Sequence, residues 1–138
     1  MVTGTAEKTM KVQRHILIVE DDDPIRALFG DLVSALGHRA DLASDGTEAL
    51  AMFDPDRHDV VITDLIMPGL TGLDVIQELR RRRPDTEIIV ISGSDLDLVH
   101  RAEMLRAVRL QKPVDIEHFY AALNAALSRS SASRGMCA

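Results

Sequence analysis

The sequence predicts an α/β fold, a doubly wound sheet of five parallel strands in the order 2-1-3-4-5 with five helices packed on its faces. Three observations predict it. Strand-like runs alternate with helix-like periodic segments, strand first each time, which is the pattern of right-handed β-α-β crossovers. The runs starting at His15, Asp59 and Glu87 are rich in consecutive aliphatic residues, as expected of strands buried on both faces in the middle of a parallel sheet. Each of these runs stops at an acid or a hydroxyl, namely Glu20, Asp64 and Ser92. Open parallel sheets gather their chemistry at that edge.

Residues 1–14 are small, polar and mixed in charge, and read as a loose tail. His15 to Val19 is the first strand. Asp23 is expected to cap the first helix, with Pro24 as its first helical residue. Ile25, Leu28, Phe29, Leu32, Val33 and Leu36 recur at helical spacing, and Gly37 ends the helix. Arg39 to Leu42 is a short, more polar strand suited to an edge. Asp45 opens a second helix that turns Ala49, Leu50 and Phe53 inward, and Asp54-Pro55-Asp56 breaks it.

Asp59 to Thr63 is the central strand. A loop from Asp64 through Gly69 leads to a helix over about Gly72 to Arg82, with Leu73, Ile76 and Leu79 inward. The four arginines Arg80 to Arg83 suit a solvated helix C-terminus, where cations meet the macrodipole favourably, better than a phosphate or partner patch. Glu87 to Ile91 is the fourth strand. Asp95 caps the next helix, with Leu98, Val99, Ala102 and Leu105 on one face, and Val108 to Gln111 is the fifth strand. Asp115 caps the last helix, whose inward residues are Ile116, Phe119, Tyr120, Leu123 and Leu127. The remaining residues, 128–138, are rich in Ser, Ala and Arg and read as a disordered tail. The folded domain is thus expected over 15–127, with no internal repeat and no room after it for a DNA-binding domain.

Composition narrows the function. The 138 residues are 46% hydrophobic, with three Phe, one Tyr and no Trp, so the core is aliphatic. A net charge of -6 opposes general nucleic-acid binding. The lone Cys137 supports neither a disulfide framework nor a cysteine metal site. No apolar run approaches the ~18 residues that span a bilayer, and a cytoplasmic protein is expected. His15, His38, His58, His100 and His118 are scattered, and none lies in a phosphohistidine motif.

In the expected fold, the strands' carboxyl ends bring together Glu20, Asp21, Asp64, Ser92 and Lys112. A lone acid after a strand is more often a turn residue than a reactive group. Suitable residues at the ends of four strands out of five are harder to explain that way. Clustered carboxylates repel, and binding a cation relieves them. Oxygen ligands without Cys or a suitable His favour Mg²⁺, which characteristically takes one or two carboxylates plus a phosphoryl group. Asp64 could then serve as a nucleophile toward phosphorus, with Lys112 and Ser92 binding the oxygens of the transferring group.

These residues carry a family resemblance. The segments Ile16 to Asp22, Val61 to Gly72, Val90 to Gly93 and Gln111 to Pro113 resemble the receiver domain of two-component response regulators, over roughly His15 to Leu127. The resemblance implies a flavodoxin-like, stand-alone receiver of the chemotaxis type. Asp64 would accept a phosphoryl group from a histidine kinase or phosphotransfer protein, then lose it by slow hydrolysis. Asp21 would bind Mg²⁺ directly, Glu20 through water, and Ile66 through its backbone carbonyl. Ser92 would be the switch hydroxyl, Lys112 the phosphoryl-binding lysine and Pro113 a cis-proline. Ile66 and Ser94 would flank the path of the attacking water. Output would pass to an effector protein, the domain being a monomer or a weak dimer through the face of the fourth helix, fifth strand and fifth helix.

The sequence also departs from the family. Receivers usually carry Tyr or Phe three residues before the lysine, where this chain has Arg109. The usual Gly-Ala segment is replaced by Leu105-Arg106-Ala107. Arg109 could reposition through its charge on the face formed by the fourth and fifth helices, or be exposed in both states. The departure motivates an alternative, a pseudo-receiver that binds partners without phosphorylation. A haloacid dehalogenase-type phosphohydrolase places an Asp-x-Asp nucleophile after its first strand, where this chain has Glu20-Asp21-Asp22-Asp23, and no cap domain is expected to fit in the 138 residues. A flavodoxin-like cofactor binder fits poorly, because this chain is nearly free of aromatics and has no phosphate-binding Gly-rich loop after the first strand.

Overall fold

The computed structural model of the protein describes residues 12–93 and 95–133. Among them, strands β1 (His15–Val19), β2 (Arg39–Ala43), β3 (Val60–Asp64), β4 (Glu87–Ser92) and β5 (Val108–Gln111) alternate with helices. These are α1 (Asp23–Ala35), α2 (Gly46–Met52), α3 (Gly72–Arg82), α4 (Leu96–Met104) and α5 (Ile116–Ser133). The sheet is parallel throughout, in the order β2-β1-β3-β4-β5.

The aliphatic runs explain this order. Alternate residues of a strand face opposite sides, and β1, β3 and β4 have apolar residues for both. Leu17, Val19, Val61, Ile88 and Val90 enter one core with α2, α3 and α4. Ile16, Ile18, Val60, Ile62, Ile89 and Ile91 enter the other with α1 and α5. Phe29 and Phe119 stack there with ring centroids 5.2 Å apart. The more polar β2 and β5 are left as edges.

Several local expectations are corrected. Asp22, not Asp23, caps α1, because Asp22 keeps an extended backbone and accepts the Ile25 N–H. Ile25, Leu28 and Ile116, expected inward, are exposed at 37%, 49% and 53%. Helix α5 continues to Ser133, beyond the expected end at Leu127. Its last turns are tied to the start of the sheet, since the buried Arg14 donates through Nη1 to the Leu127 carbonyl (3.3 Å) and to Ser131 Oγ (2.6 Å). Residues 1–11 and 134–138, with Cys137, lie outside the described residues.

The four arginines form no open cationic patch. Arg80 donates to the carbonyls of Leu105, Arg106, Pro84 and Thr86, clamping the turn between α4 and β5. Arg82 and Arg83 donate to the carbonyls of Leu50 and Pro55, and Arg81 pairs with Glu78. Arg106 sits in this clamped turn at φ 66°, a left-handed conformation that costs a side-chain-bearing residue roughly 1 kcal/mol. Arg106→Gly should therefore be about 1 kcal/mol more stable than Arg106→Ala, both having lost the guanidinium. Denaturant unfolding of the two variants measures this difference.

Candidate functional site

The site forms at the carboxyl edge, where the chain order reverses between β1 and β3. Val19 pairs with Thr63, so the next residues, Glu20 and Asp64, leave the sheet side by side. Glu20, Asp21 and Asp64 each offer a carboxylate oxygen, all within 4.8 Å of one another. Glu20 and Asp64 are buried and Asp21 is exposed. Lys112 reaches in from beyond β5, with Nζ 3.0 Å from Asp64 Oδ2. The Ile66 N–H donates to Asp64 Oδ1 over 3.1 Å. Both Asp64 oxygens are therefore oriented.

The backbone beneath Asp64 is held closely. Thr71 caps α3 and exchanges hydrogen bonds with Asp74, a capping box. Gly72 then packs so tightly that an added Cβ would lie 2.4 Å from the Asp64 carbonyl oxygen and 2.7 Å from Leu65 Cα. Gly72 was not singled out as a site residue from the sequence. Its signal is a glycine at the start of a helix directly after the loop that follows Asp64, where close backbone approach excludes a side chain.

Ser92 ends β4 and is 3% exposed. Its carbonyl accepts the Lys112 N–H over 2.8 Å, joining the ends of β4 and β5. Arg109 is neither free on the outer face nor simply exposed. Its Nε donates to Ser92 Oγ (3.0 Å) and its Nη2 to the Gly93 carbonyl (2.8 Å). Lys112-Pro113 is a cis peptide, matching the expectation for Pro113. Ile66 is 61% exposed beside the cluster, whereas Ser94 lies outside the described residues.

The acids suit a hard divalent cation. They provide clustered oxygen donors of like charge with one ammonium nearby, and crowded carboxylates gain from a cation between them. Burial pushes the Glu20 carboxyl from 4.5 up to about 7, with the Asp64 charge and the Asp21 hydrogen bond adding to the rise. The Asp22 N–H and Lys112 oppose it. No helix among the described residues is long and apolar enough to cross a membrane.

Known proteins resemble this chain in sequence and fold. The family model described as "Response regulator receiver domain" matches residues 16–124. A response regulator MprA from Mycobacterium sp. (strain KMS) is 36% identical over 124 residues, covering 88% of this chain and 54% of that protein. The chain thus spans about half the length of the relatives it matches. A crystal structure of a receiver domain protein from Clostridium thermocellum superposes with a TM-score of 0.83 at 32% identity, covering 87% of this chain and 98% of that one. The Vibrio cholerae chemotaxis protein CheY4 gives 0.77 at 26% identity, covering 84% of this chain and 100% of that one.

The raised Glu20 carboxyl makes a signed prediction. Its folded-state pKa lies above the unfolded one, so the folded chain binds the extra proton. Its stabilising contribution is complete below pH 4.5 and is lost as pH rises to about 7. Without divalent cation, the wild type should lose on the order of 3 kcal/mol relative to Glu20→Gln across that interval. Saturating Mg²⁺ should remove the loss. Thermal or denaturant unfolding as a function of pH measures both effects.

Proposed function

The chain belongs to the response regulator receiver domain family, and from that premise we propose that it is a phosphoacceptor switch. Asp64 accepts a phosphoryl group from a histidine kinase or histidine phosphotransfer protein. The observation that carries this reading is one buried aspartate sharing a 4.8 Å cluster with two further acids while an ammonium stands 3.0 Å away. No single turn or cap requires all four groups.

In the proposed reaction, a carboxylate oxygen of Asp64 attacks phosphorus. The bond from phosphorus to the donor's nitrogen breaks, and the donor keeps the electron pair. Asp64 is an oriented nucleophile because Lys112 and the Ile66 N–H hold its two oxygens. Lys112 then follows the charge onto the phosphoryl oxygens, and the Ser92 hydroxyl donates to one of them. Glu20, Asp21, Asp64 and the Ile66 carbonyl would hold Mg²⁺, which when bound neutralises charge on the transferring group. Hydrolysis of the acyl phosphate later resets the switch.

Apolar surface beside the site suits the donor protein. Ile25 and Leu28 of α1 stand exposed, and with Pro113 and Val114 they border Glu20 and Lys112. Output then passes to an effector protein by contact, in the cytoplasm, through the face of α4, β5 and α5. The folded unit proposed runs from Arg14, which is bonded to the last turns of α5, to the end of that helix at Ser133.

Incubation with Mg²⁺ and acetyl phosphate, followed by intact-mass measurement, tests the reading. The wild type should gain one phosphoryl group and Asp64→Asn none. A folded wild type that gains none from either acetyl phosphate or a histidine kinase supports the pseudo-receiver instead.

A further inference from the structure

Arg109 is bound to the phosphoryl site by hydrogen bonds that the proposed chemistry leaves unused. It pairs in register with Val90, and Gln111 pairs with Ser92. Its side chain nevertheless runs along the sheet to the carboxyl edge, where Nε reaches Ser92 Oγ at 3.0 Å and Nη2 reaches the Gly93 carbonyl at 2.8 Å. One planar guanidinium therefore spans the last residue of β4 and the first residue of the loop toward α4.

The direction of these bonds matters. A guanidinium has donors only, whereas a serine hydroxyl has one proton and two acceptor lone pairs. Ser92 must therefore accept from Arg109, and its own proton is left for another partner. Among the described residues no acceptor is bonded to that proton. A phosphoryl group on Asp64 would add strong acceptor oxygens at this edge. Hydrogen bonds from Arg109 to Ser92 and from Ser92 to a phosphoryl oxygen would run in one direction, so each polarises the other. With Ser92 only 3% exposed, water competes poorly for either bond. An arginine that accepts nothing does not compete with the phosphoryl group for the serine proton.

We propose that Arg109 is a positioning residue of the phosphoryl site, holding the Ser92 hydroxyl as an obligate donor to a phosphoryl oxygen and coupling that contact through Gly93 to the loop before α4. The proposal rests on Asp64 accepting a phosphoryl group. Phosphorylation strengthens the tether, and the position of Ser92 is carried onto β5 and the start of the loop.

The test is a double-mutant cycle on phosphoryl uptake from acetyl phosphate with excess Mg²⁺, read by intact mass. It uses Arg109→Ala, Arg109→Met, Ser92→Ala and Arg109→Ala combined with Ser92→Ala. Arg109→Met keeps an extended side chain without donors, and thermal midpoints identify the folded variants. Either substitution at Arg109 should slow uptake about tenfold, the scale of a lost charge-assisted hydrogen bond. The double variant should be no slower than Ser92→Ala alone, because Arg109 acts through Ser92. The Arg109 Nε–H resonance should shift on phosphorylation of the wild type and lose its protection in Ser92→Ala. Uptake unchanged or faster in folded Arg109 variants overturns the proposal, as does an Arg109 effect undiminished in the Ser92→Ala background. A folded wild type that takes up no phosphoryl group from acetyl phosphate or from a histidine kinase overturns the function and this inference together. Normal uptake with no coupling overturns the inference alone.

Discussion

Glu20, Asp21 and Asp64 hold three carboxylate oxygens within 4.8 Å of one another, and two of these acids are buried. Like charges this close disfavour the folded chain unless protons or cations intervene. The rest of the fold can be understood by what keeps them there. Two central strands deliver Glu20 and Asp64 side by side, and their neighbours Ile18, Val19, Ile62 and Thr63 are at most 1% exposed. A strand slip of one residue would move every core side chain to the opposite face of the sheet, into a core packed for different residues. The acids therefore cannot relax apart by sliding.

Compensation arrives from the other side of the sheet. Lys112 and Arg109 both come from β5 or its end, and each contacts a different residue of the edge, one carboxylate and one hydroxyl. Arginine is suited to the second contact because its planar fork can bind the Ser92 oxygen and the Gly93 carbonyl together. An aromatic side chain at that position could not supply two such donors. A chain of donors linked to the site is thus available where receivers ordinarily use a ring that moves with the hydroxyl.

Much of this was legible in the sequence because the strands carry strong signals. The aliphatic runs at Ile16, Val60 and Ile88 identify the three central strands, and their ends identify Glu20, Asp64 and Ser92. What was not legible depends on geometry. Asp22 and Asp23 are both good caps by residue type, and only the extended backbone at Asp22 decides between them. The periodicity of α1 marks Ile25 and Leu28 as part of an apolar stripe without showing that α5 and the sheet cover only Phe29, Val33 and their neighbours. Arg80 to Arg83 look like a solvated charge run because their partners are largely backbone carbonyls, which no residue type announces. Arg109 stood out by its identity, but its tether to Ser92 required the fold.

The central claim is that the carboxylate set exists to make Asp64 a phosphoryl acceptor. Borohydride reduction tests it most directly, because it converts an acyl phosphate, but not a free carboxylate, to an alcohol. After treatment with acetyl phosphate and Mg²⁺, reduction and peptide mapping should find homoserine at position 64. The reduced alcohol at another acid (homoserine from an Asp, hydroxynorvaline from a Glu), or at none in a folded, cation-loaded protein, would contradict it.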